Sequence, residues 1–149
     1  MRLALYEPDI PQNVGTLMRL AACLGVALDL IEPCGFIYDD ARVRRAAMDY
    51  IDALELARHV SWQAYTETPR PGRLVLLTTK ASVPYTDFVF APTDTLMVGR
   101  ESAGVPEAVH AAADGRVVIP LRPRLRSINV ATAAAMVLGE ALRQTGWRV

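Results

Sequence analysis

The sequence predicts a single α/β domain, residues 1–149, in which helices cover both faces of a parallel sheet. Five short apolar runs are continuous rather than alternating, which is typical of strands that are buried on both faces. Helical patterns separate these runs, and the alternation of strand and helix favours a doubly wound architecture. With 149 residues, 52% of them hydrophobic, the chain is long enough to bury a sizeable core.

The elements follow in chain order. The predicted strands cover residues 3–6, 27–31, 74–78, 95–98 and 116–119. Val14, Leu17, Met18, Ala21 and Leu24 are spaced as one face of a first helix, and the glycine that follows is suited to end it. Further helical patterns cover residues 40–56, 62–67, 105–112 and 128–144. A proline in the first turn begins the fourth helix, and Gly139 is a weak point within the last.

Composition restricts the classes of function. The net charge of zero argues against non-specific binding of nucleic acid through a generally basic surface, although clustered charge still permits RNA binding. No run of apolar residues is long enough to span a membrane, and the first apolar run ends too early for a signal peptide. A cytoplasmic protein is therefore expected. Cys23 and Cys34 lack metal or redox spacing and are expected to be buried or inert thiols.

Three polar stretches, residues 11–19, 99–107 and 119–130, each leave or follow an apolar run and mix Gly or Pro with Arg, Asn, Ser or Glu. The carboxyl ends of parallel strands are where ligands bind in open α/β sheets. The three stretches therefore predict one pocket, built by the fold.

Several familiar sites are missing from the sequence. No G-x-G-x-x-G follows the first strand, and neither a P-loop nor a G-x-S-x-G elbow occurs. Glu32 occupies the position of a ribose-binding acid, but the glycines that should accompany it are lacking. His59 and His110, the two histidines, have no second ligand type at metal spacing. These observations argue against a dinucleotide, zinc or Ser-His hydrolase site, and no metal is expected.

Three motifs in the chain resemble those of the SPOUT RNA methyltransferases. They are Asn13-x-Gly15-x-x-x-Arg19, Gly99-x-Glu101-x-x-Gly104, and Ile119-Pro120 followed by Ser127-Ile128-Asn129-Val130. The resemblance covers nearly the whole chain. It implies a three-layer α/β fold with a trefoil knot at the C-terminal end. The second motif departs from the usual Gly-Pro-Glu-Thr-Arg-Gly at Arg100, Ser102 and Ala103.

The sequences that flank the motifs, residues 5–13, 35–45 and 77–80, resemble the small single-domain branch of this family. That resemblance implies methyl transfer from S-adenosylmethionine (AdoMet) to the ribose 2'-OH of tRNA nucleotide 34, a cytidine or modified uridine. It also implies a homodimer that receives the tRNA anticodon stem-loop. Two alternatives stay open: a ribosomal-RNA 2'-O-methyltransferase, and a relative that binds cofactor or RNA without catalysis.

The resemblance also implies roles for individual residues. The expected cofactor-binding residues are Leu77, Thr78, Gly99, Gly104, Ile119, Leu121, Ser127 and Asn129. The expected catalytic residues are Arg19, Asn13 and Glu101. Because a guanidinium does not normally lose its proton, Arg19 is better suited to orient phosphate and stabilise a developing alkoxide than to act as a base.

Each assignment has a structural alternative. Asn13 could cap its helix, Ser127 and Asn129 could cap the last one, and Arg19 could be an ordinary surface residue. Glu101 could orient the cofactor or Arg19, or be the buried partner of another arginine. Two arginine clusters are candidate RNA-phosphate patches: Arg42 and Arg45 (with Arg44), and Arg122, Arg124 and Arg126. The first cluster could instead be solvated charge paired with Asp39, Asp40 and Asp49.

Overall fold

A computed structural model describes residues 1–39, 50 and 53–146 of the chain. In this part of the chain a six-stranded sheet has the order β3-β2-β1-β5-β4-β6, and all its paired strands are parallel. The strands are β1 (Arg2–Tyr6), β2 (Ala27–Ile31), β3 (Leu56–His59), β4 (Leu74–Leu77), β5 (Thr95–Val98) and β6 (Gly115–Val117). The predicted α/β class with a parallel sheet is confirmed.

The described helices are α1 (Pro11–Leu24), α2 (Trp62–Glu67), α3 (Glu107–Ala112) and α4 (Val130–Gln144). The predicted face of α1 is confirmed, since Val14, Leu17 and Met18 are buried. Gly25 ends the helix with φ of 63°, a left-handed conformation that glycine adopts without strain. No helix of the described residues is long and apolar enough to cross a membrane.

Alternate residues of the strands enter two cores, one on each face of the sheet. Leu3 and Leu5 of β1 pack in the core that contains α1 and α4, which also contact each other. Ala4 and Tyr6 of the same strand pack in the opposite core, where α2 and α3 lie. This two-residue alternation explains why the strands read as continuous apolar runs, because both of their faces are covered.

Strand β3 was not predicted, and the second helical pattern wrongly extended into it, as far as Leu56. The reason is local composition: Leu56–His59 reads LARH and has only one fully buried residue, so it carries no continuous apolar run. Among the described residues it lies at an edge of the sheet and pairs only with β2. The rest of that predicted helix, residues 40–49 and 51–52, lies outside the described residues.

Two helix starts were also predicted too early. The residues at 105 and 106 precede α3, because Pro106 has the extended conformation of a cap, with ψ of 162°. Helix α4 begins at Val130 rather than at residue 128, because Asn129 is its cap. In both cases the boundary depends on backbone geometry that apolar periodicity does not report.

A buried ion-pair network joins the first three strands at a distance from the predicted pocket. Arg2 donates to both carboxylate oxygens of Asp29, at 2.9 and 3.0 Å. The Nε2 atom of His59 lies 3.1 Å from the same carboxylate. The hydrogen bond to Asp29 raises the pKa of Arg2 above its ordinary value. Asp29 is only 4% exposed, so these two partners take the place of water around its carboxylate.

Candidate functional site

A cavity of about 370 Å³ opens beside the carboxyl ends of β4, β5 and β6. Its wall combines segments that follow these three strands with the start of α4. The volume lies within the range of pockets that hold small molecules and cofactors. Two of the three polar stretches, residues 99–107 and 119–130, therefore converge on one cavity as predicted, whereas no residue of the first stretch, 11–19, lines it.

Seven of the eight residues expected to bind a cofactor line this cavity. They are Leu77, Thr78, Gly99, Gly104, Ile119, Leu121 and Ser127. The eighth, Asn129, is not part of the wall. Its side-chain oxygen instead accepts hydrogen bonds from the backbone N–H groups of Ala131 and Thr132, at 3.0 and 3.2 Å. The structural alternative for Asn129 is thus confirmed, whereas Ser127 makes no such cap within the described chain.

The cavity wall also contains residues that the sequence did not single out for this site. Leu76, Val98 and Val105 give it an apolar floor, and Lys80 adds a cation. His110 of α3, only 6% exposed, lines the same space. The residues around His110 in the sequence do not indicate a site. It belongs to the buried face of a short helix, and only the packing of that helix brings it to the cavity.

The segment from Gly99 to Val105, here named the second loop, is a tight turn. Arg100 and Gly104 exchange backbone hydrogen bonds of 3.0 and 2.9 Å, which close the turn on itself. A methyl group on Gly99 would come within 2.6 Å of the Gly104 carbonyl carbon. Gly104 has φ of 66°, and a methyl group there would meet no atom within 4 Å. The missing side chain of Gly99 therefore lets the turn close, whereas Gly104, where a side chain would face open space, leaves bare backbone at the cavity wall.

Asn13 joins the second loop to the start of α4. Its amide nitrogen donates to the Glu101 carboxylate, and its amide oxygen accepts from the Asn129 side chain at 3.0 Å. The alternative that Asn13 caps α1 is wrong, because the helix begins at Pro11 and Ile10 occupies the cap position. Glu101 is exposed and its carboxylate accepts a hydrogen bond from the Asn13 amide, so the alternative that it is the buried partner of an arginine is wrong too.

Two acidic residues of the β1–α1 connection, here named the first loop (residues 7–10), also hold the second loop. Glu7 forms an ion pair with Arg100. Asp9 accepts hydrogen bonds from Ser102 and from the backbone N–H of Glu101. Desolvation by burial opposes ionisation, but these hydrogen bonds outweigh it and hold the pKa of Asp9 below its usual value. The carboxylate is therefore the form that the second loop stabilises.

Arg19 lies apart from the cavity. It is exposed, does not line the wall, and its guanidinium stacks 5.0 Å from the centroid of the Tyr50 ring. Six residues of helix turn a side chain by about 240°, so Arg19 and Asn13 occupy different faces of α1. The structure brings Asn13, Glu101 and Asn129 together but does not bring Arg19 to them.

The arginine cluster of the third polar stretch is exposed. Arg122, Arg124 and Arg126 all lie on the surface, and Arg126 also lines the cavity. This arrangement puts positive charge at the rim of the site. The other predicted patch, Arg42 and Arg45 with Arg44, lies outside the described residues, and so do Asp40 and Asp49.

Other candidate groups of the described chain have surroundings that differ from those their expected roles would need. Glu32, the candidate ribose acid, instead accepts from Arg58 at 2.8 and 2.5 Å. Cys34 is half-buried, and its burial raises the pKa of the thiol to about 11, which disfavours the reactive thiolate. Cys23 is exposed rather than buried. Over the described residues no group of three or more His, Cys, Asp or Glu side chains could hold a metal ion.

Comparison with known proteins places this geometry in a family. Residues 1–139 match the SpoU rRNA Methylase family. A tRNA (cytidine(34)-2'-O)-methyltransferase of Beijerinckia indica is 68% identical over 148 residues, which cover 97% of this chain and 91% of the relative. The corresponding enzyme of Escherichia coli K12 is 40% identical over 99% of this chain and 95% of its own.

Solved structures agree with this match. One described as "Structural insights into the 2-OH methylation of C/U34 on tRNA" has a TM-score of 0.91 and 37% identity, and it covers 99% of this chain and 97% of its own. The SpoU methyltransferase AviRb of Streptomyces viridochromogenes, in complex with the cofactor AdoMet, has a TM-score of 0.83 at 28% identity. The match covers 97% of this chain and 60% of that one. The chain described here belongs to the SpoU rRNA Methylase family.

Proposed function

We propose that this chain transfers a methyl group from AdoMet to the ribose 2'-OH of nucleotide 34 in tRNA. The observation that carries the proposal is the convergence of the second loop, residues 118–121 and the start of α4 on one cavity. Relatives that match almost the whole chain are named for this reaction. A single domain, residues 1–139 at least, would therefore hold both cofactor and substrate sites.

The cavity fits AdoMet on three physical grounds. Its apolar floor, which includes Leu76 and Val98, suits the faces of an adenine ring. The bare backbone at Gly104, where an added methyl group would face open space, lets N–H and C=O groups approach the ligand closely. The volume of about 370 Å³ suits a molecule of this size. A related SpoU methyltransferase is solved with AdoMet bound, which supports the same choice here.

The residues of the chain would act mainly by positioning. When bound, the sulfonium of AdoMet supplies a methyl group that an oxygen nucleophile can accept by in-line displacement. Holding two reactants in line is itself a large source of rate enhancement. Glu101, at the cavity wall and anchored by Asn13, would orient the reactants. Leu77, Thr78, Ile119, Leu121 and Ser127 would complete the cofactor site.

Substrate binding would use the exposed arginines. Arg122, Arg124 and Arg126 at the rim can make bidentate contacts with phosphates of an anticodon stem-loop. Arg19 lies outside the cavity of its own subunit. It would therefore contact the substrate only if the RNA extends from the cavity to Arg19, or if Arg19 faces the cavity of a second copy of the chain. This position supports the homodimer that the family resemblance implies. A cytoplasmic location and a C-terminal trefoil knot complete the proposal.

The test is methyl transfer from labelled AdoMet to total tRNA and, in parallel, to ribosomal RNA. We expect label in tRNA, and nucleoside mapping should find it as a 2'-O-methyl group at position 34. Label confined to ribosomal RNA would establish the first alternative and refute the tRNA assignment. Binding of AdoMet without transfer to either RNA would indicate a non-catalytic relative.

A further inference from the structure

The carboxylate of Asp9 is the main polar link between the first loop and the second loop. Its Oδ1 atom accepts a hydrogen bond from the backbone N–H of Glu101, at 3.1 Å. Its Oδ2 atom accepts from the backbone N–H of Ser102, at 3.2 Å, and from the Ser102 hydroxyl. Three donors of one short turn therefore converge on one side chain from a distant part of the sequence.

Asp9 also packs against a second segment, the backbone at Gly35. A methyl group on Gly35 would come within 2.8 Å of the Asp9 Cβ and 2.9 Å of its Cα, so the backbone at position 35 packs directly against Asp9. The Gly35 N–H donates to the Pro8 carbonyl at 2.9 Å, which fixes the two segments together. Asp9 is therefore held between the chain at Gly35 and the second loop, and its position is set from both sides.

The backbone of the second loop leaves N–H groups that need hydrogen-bond acceptors from outside the loop. The two hydrogen bonds between Arg100 and Gly104 close the base of the turn, but the N–H groups of Glu101 and Ser102 at its tip are not satisfied there. Successive backbone N–H groups of this kind form a concave site for an anion. The Asp9 carboxylate occupies it, and the pair of bonds fixes the orientation of the tip.

We propose that Asp9 is a positioning residue that holds the second loop in the conformation that binds AdoMet. Gly99, Glu101 and Ser102 line the cavity, so any change in the tip of the loop changes the wall that a cofactor meets. Asp9 itself is not part of that wall and acts only through the loop. The inference rests on the proposed use of AdoMet.

The experiment measures binding of AdoMet and of its demethylated product by calorimetry, together with the KM for AdoMet and kcat. The variants are Asp9→Ala, Asp9→Asn and Ser102→Ala. Asp87→Ala serves as the control, because Asp87 is exposed, does not line the cavity, and within the described part of the chain its side chain accepts a hydrogen bond only from its neighbour Thr86. We expect Asp9→Ala to weaken binding about tenfold, as for loss of a charge-assisted hydrogen bond, and Ser102→Ala to weaken it about threefold.

The kinetic pattern separates a positioning role from a purely structural one. The KM for AdoMet should rise with its dissociation constant, while kcat at saturating AdoMet stays within about threefold of that of the unaltered chain. Hydrogen exchange without cofactor gives a second readout: the amides of Glu101 and Ser102 should exchange about tenfold faster in Asp9→Asn, with no change in the strands.

Three outcomes would overturn the inference. Cofactor binding within twofold of the unaltered chain in both Asp9→Asn and Ser102→Ala would do so. An equal loss of AdoMet affinity in Asp87→Ala would also overturn it. So would unchanged hydrogen exchange at the amides of Glu101 and Ser102 in Asp9→Asn. Failure of the unaltered chain to bind AdoMet would instead refute the proposed function, so the two failures are distinguishable. If Asp9→Ala does not fold, the isosteric Asp9→Asn still decides the question, through AdoMet affinity and through hydrogen exchange at the loop amides, because Asp9, unlike Ser102, is not part of the cavity wall.

Discussion

Replacing Gly99 with alanine should distort the second loop and weaken cofactor binding. The added Cβ would lie 2.6 Å from the carbonyl carbon of Gly104, 2.8 Å from its oxygen and 2.8 Å from a methyl group of Val105. Non-bonded carbon atoms prefer a separation of about 3.5–4.0 Å. The two strands of the turn must therefore separate by about 1 Å, which is enough to break the short hydrogen bonds between Arg100 and Gly104.

The size of the effect follows from the packing. Overfilling a closely packed site costs about 1–3 kcal/mol, and two of the three clashing atoms here are backbone atoms that cannot rotate away. For a chain of this length each kcal/mol lowers Tm by about 2–4 °C. We therefore expect the Gly99→Ala variant to melt about 2–12 °C lower and to bind AdoMet at least about tenfold more weakly.

Thermal unfolding and calorimetric titration with the demethylated product of AdoMet measure both quantities. The matched control is Gly139→Ala, because Gly139 is exposed within α4 and a methyl group there would meet no atom within 4 Å. That change should raise stability by about 0.5–1 kcal/mol and leave binding unaltered. If Gly99→Ala keeps the Tm and affinity of the unaltered chain, the steric reasoning for the second loop is wrong.

Three further outcomes are expected. Asp29→Asn removes the charge that Arg2 contacts through two bonds and should lower the free energy of unfolding by about 2 kcal/mol in urea titrations; an unchanged value would contradict the role of this network. Asn129→Ala removes the cap of α4 and should cost about 1 kcal/mol in urea titrations, whereas Asn129→Ser, which keeps a capping oxygen without placing a carboxylate against the Asn13 amide oxygen, should restore much of it. Arg19→Ala should abolish methyl transfer but leave AdoMet affinity within a few-fold, since Arg19 lies outside the cavity; a large loss of affinity in calorimetry would refute its assignment to the RNA.

Much of the fold was predictable because it depends on patterns among residues that are close together in the sequence. The apolar face of α1 and the glycine that ends it occupy one stretch of chain, and so do the apolar runs of β1 and β5. Strand β3 could not be predicted in this way. Its pairing with β2 supplies the hydrogen bonds that define it, and its four residues carry too little apolar surface to indicate burial.

The candidate site was predictable only as a set of loops. The second and third motifs identified segments that line the cavity, whereas the first motif contributes no residue to its wall, and none of them showed which side chains meet. Asn13 was expected to cap a helix or touch substrate, yet it links Glu101 to Asn129. Asp9 carried no signal of its own, because an acidic residue in a turn is common and its partners lie in another loop.

The sequence by itself determined the class of fold, the elements with strong periodicity, and the family through its three motifs. These properties depend on residues close together in the chain. Only the tertiary structure decided that side chains separated by 88 and 116 positions hold one another around a cavity, and that Arg19 stands apart from them. The physical reason is that such contacts arise from the parallel order of the strands, which brings distant loops to one edge of the sheet.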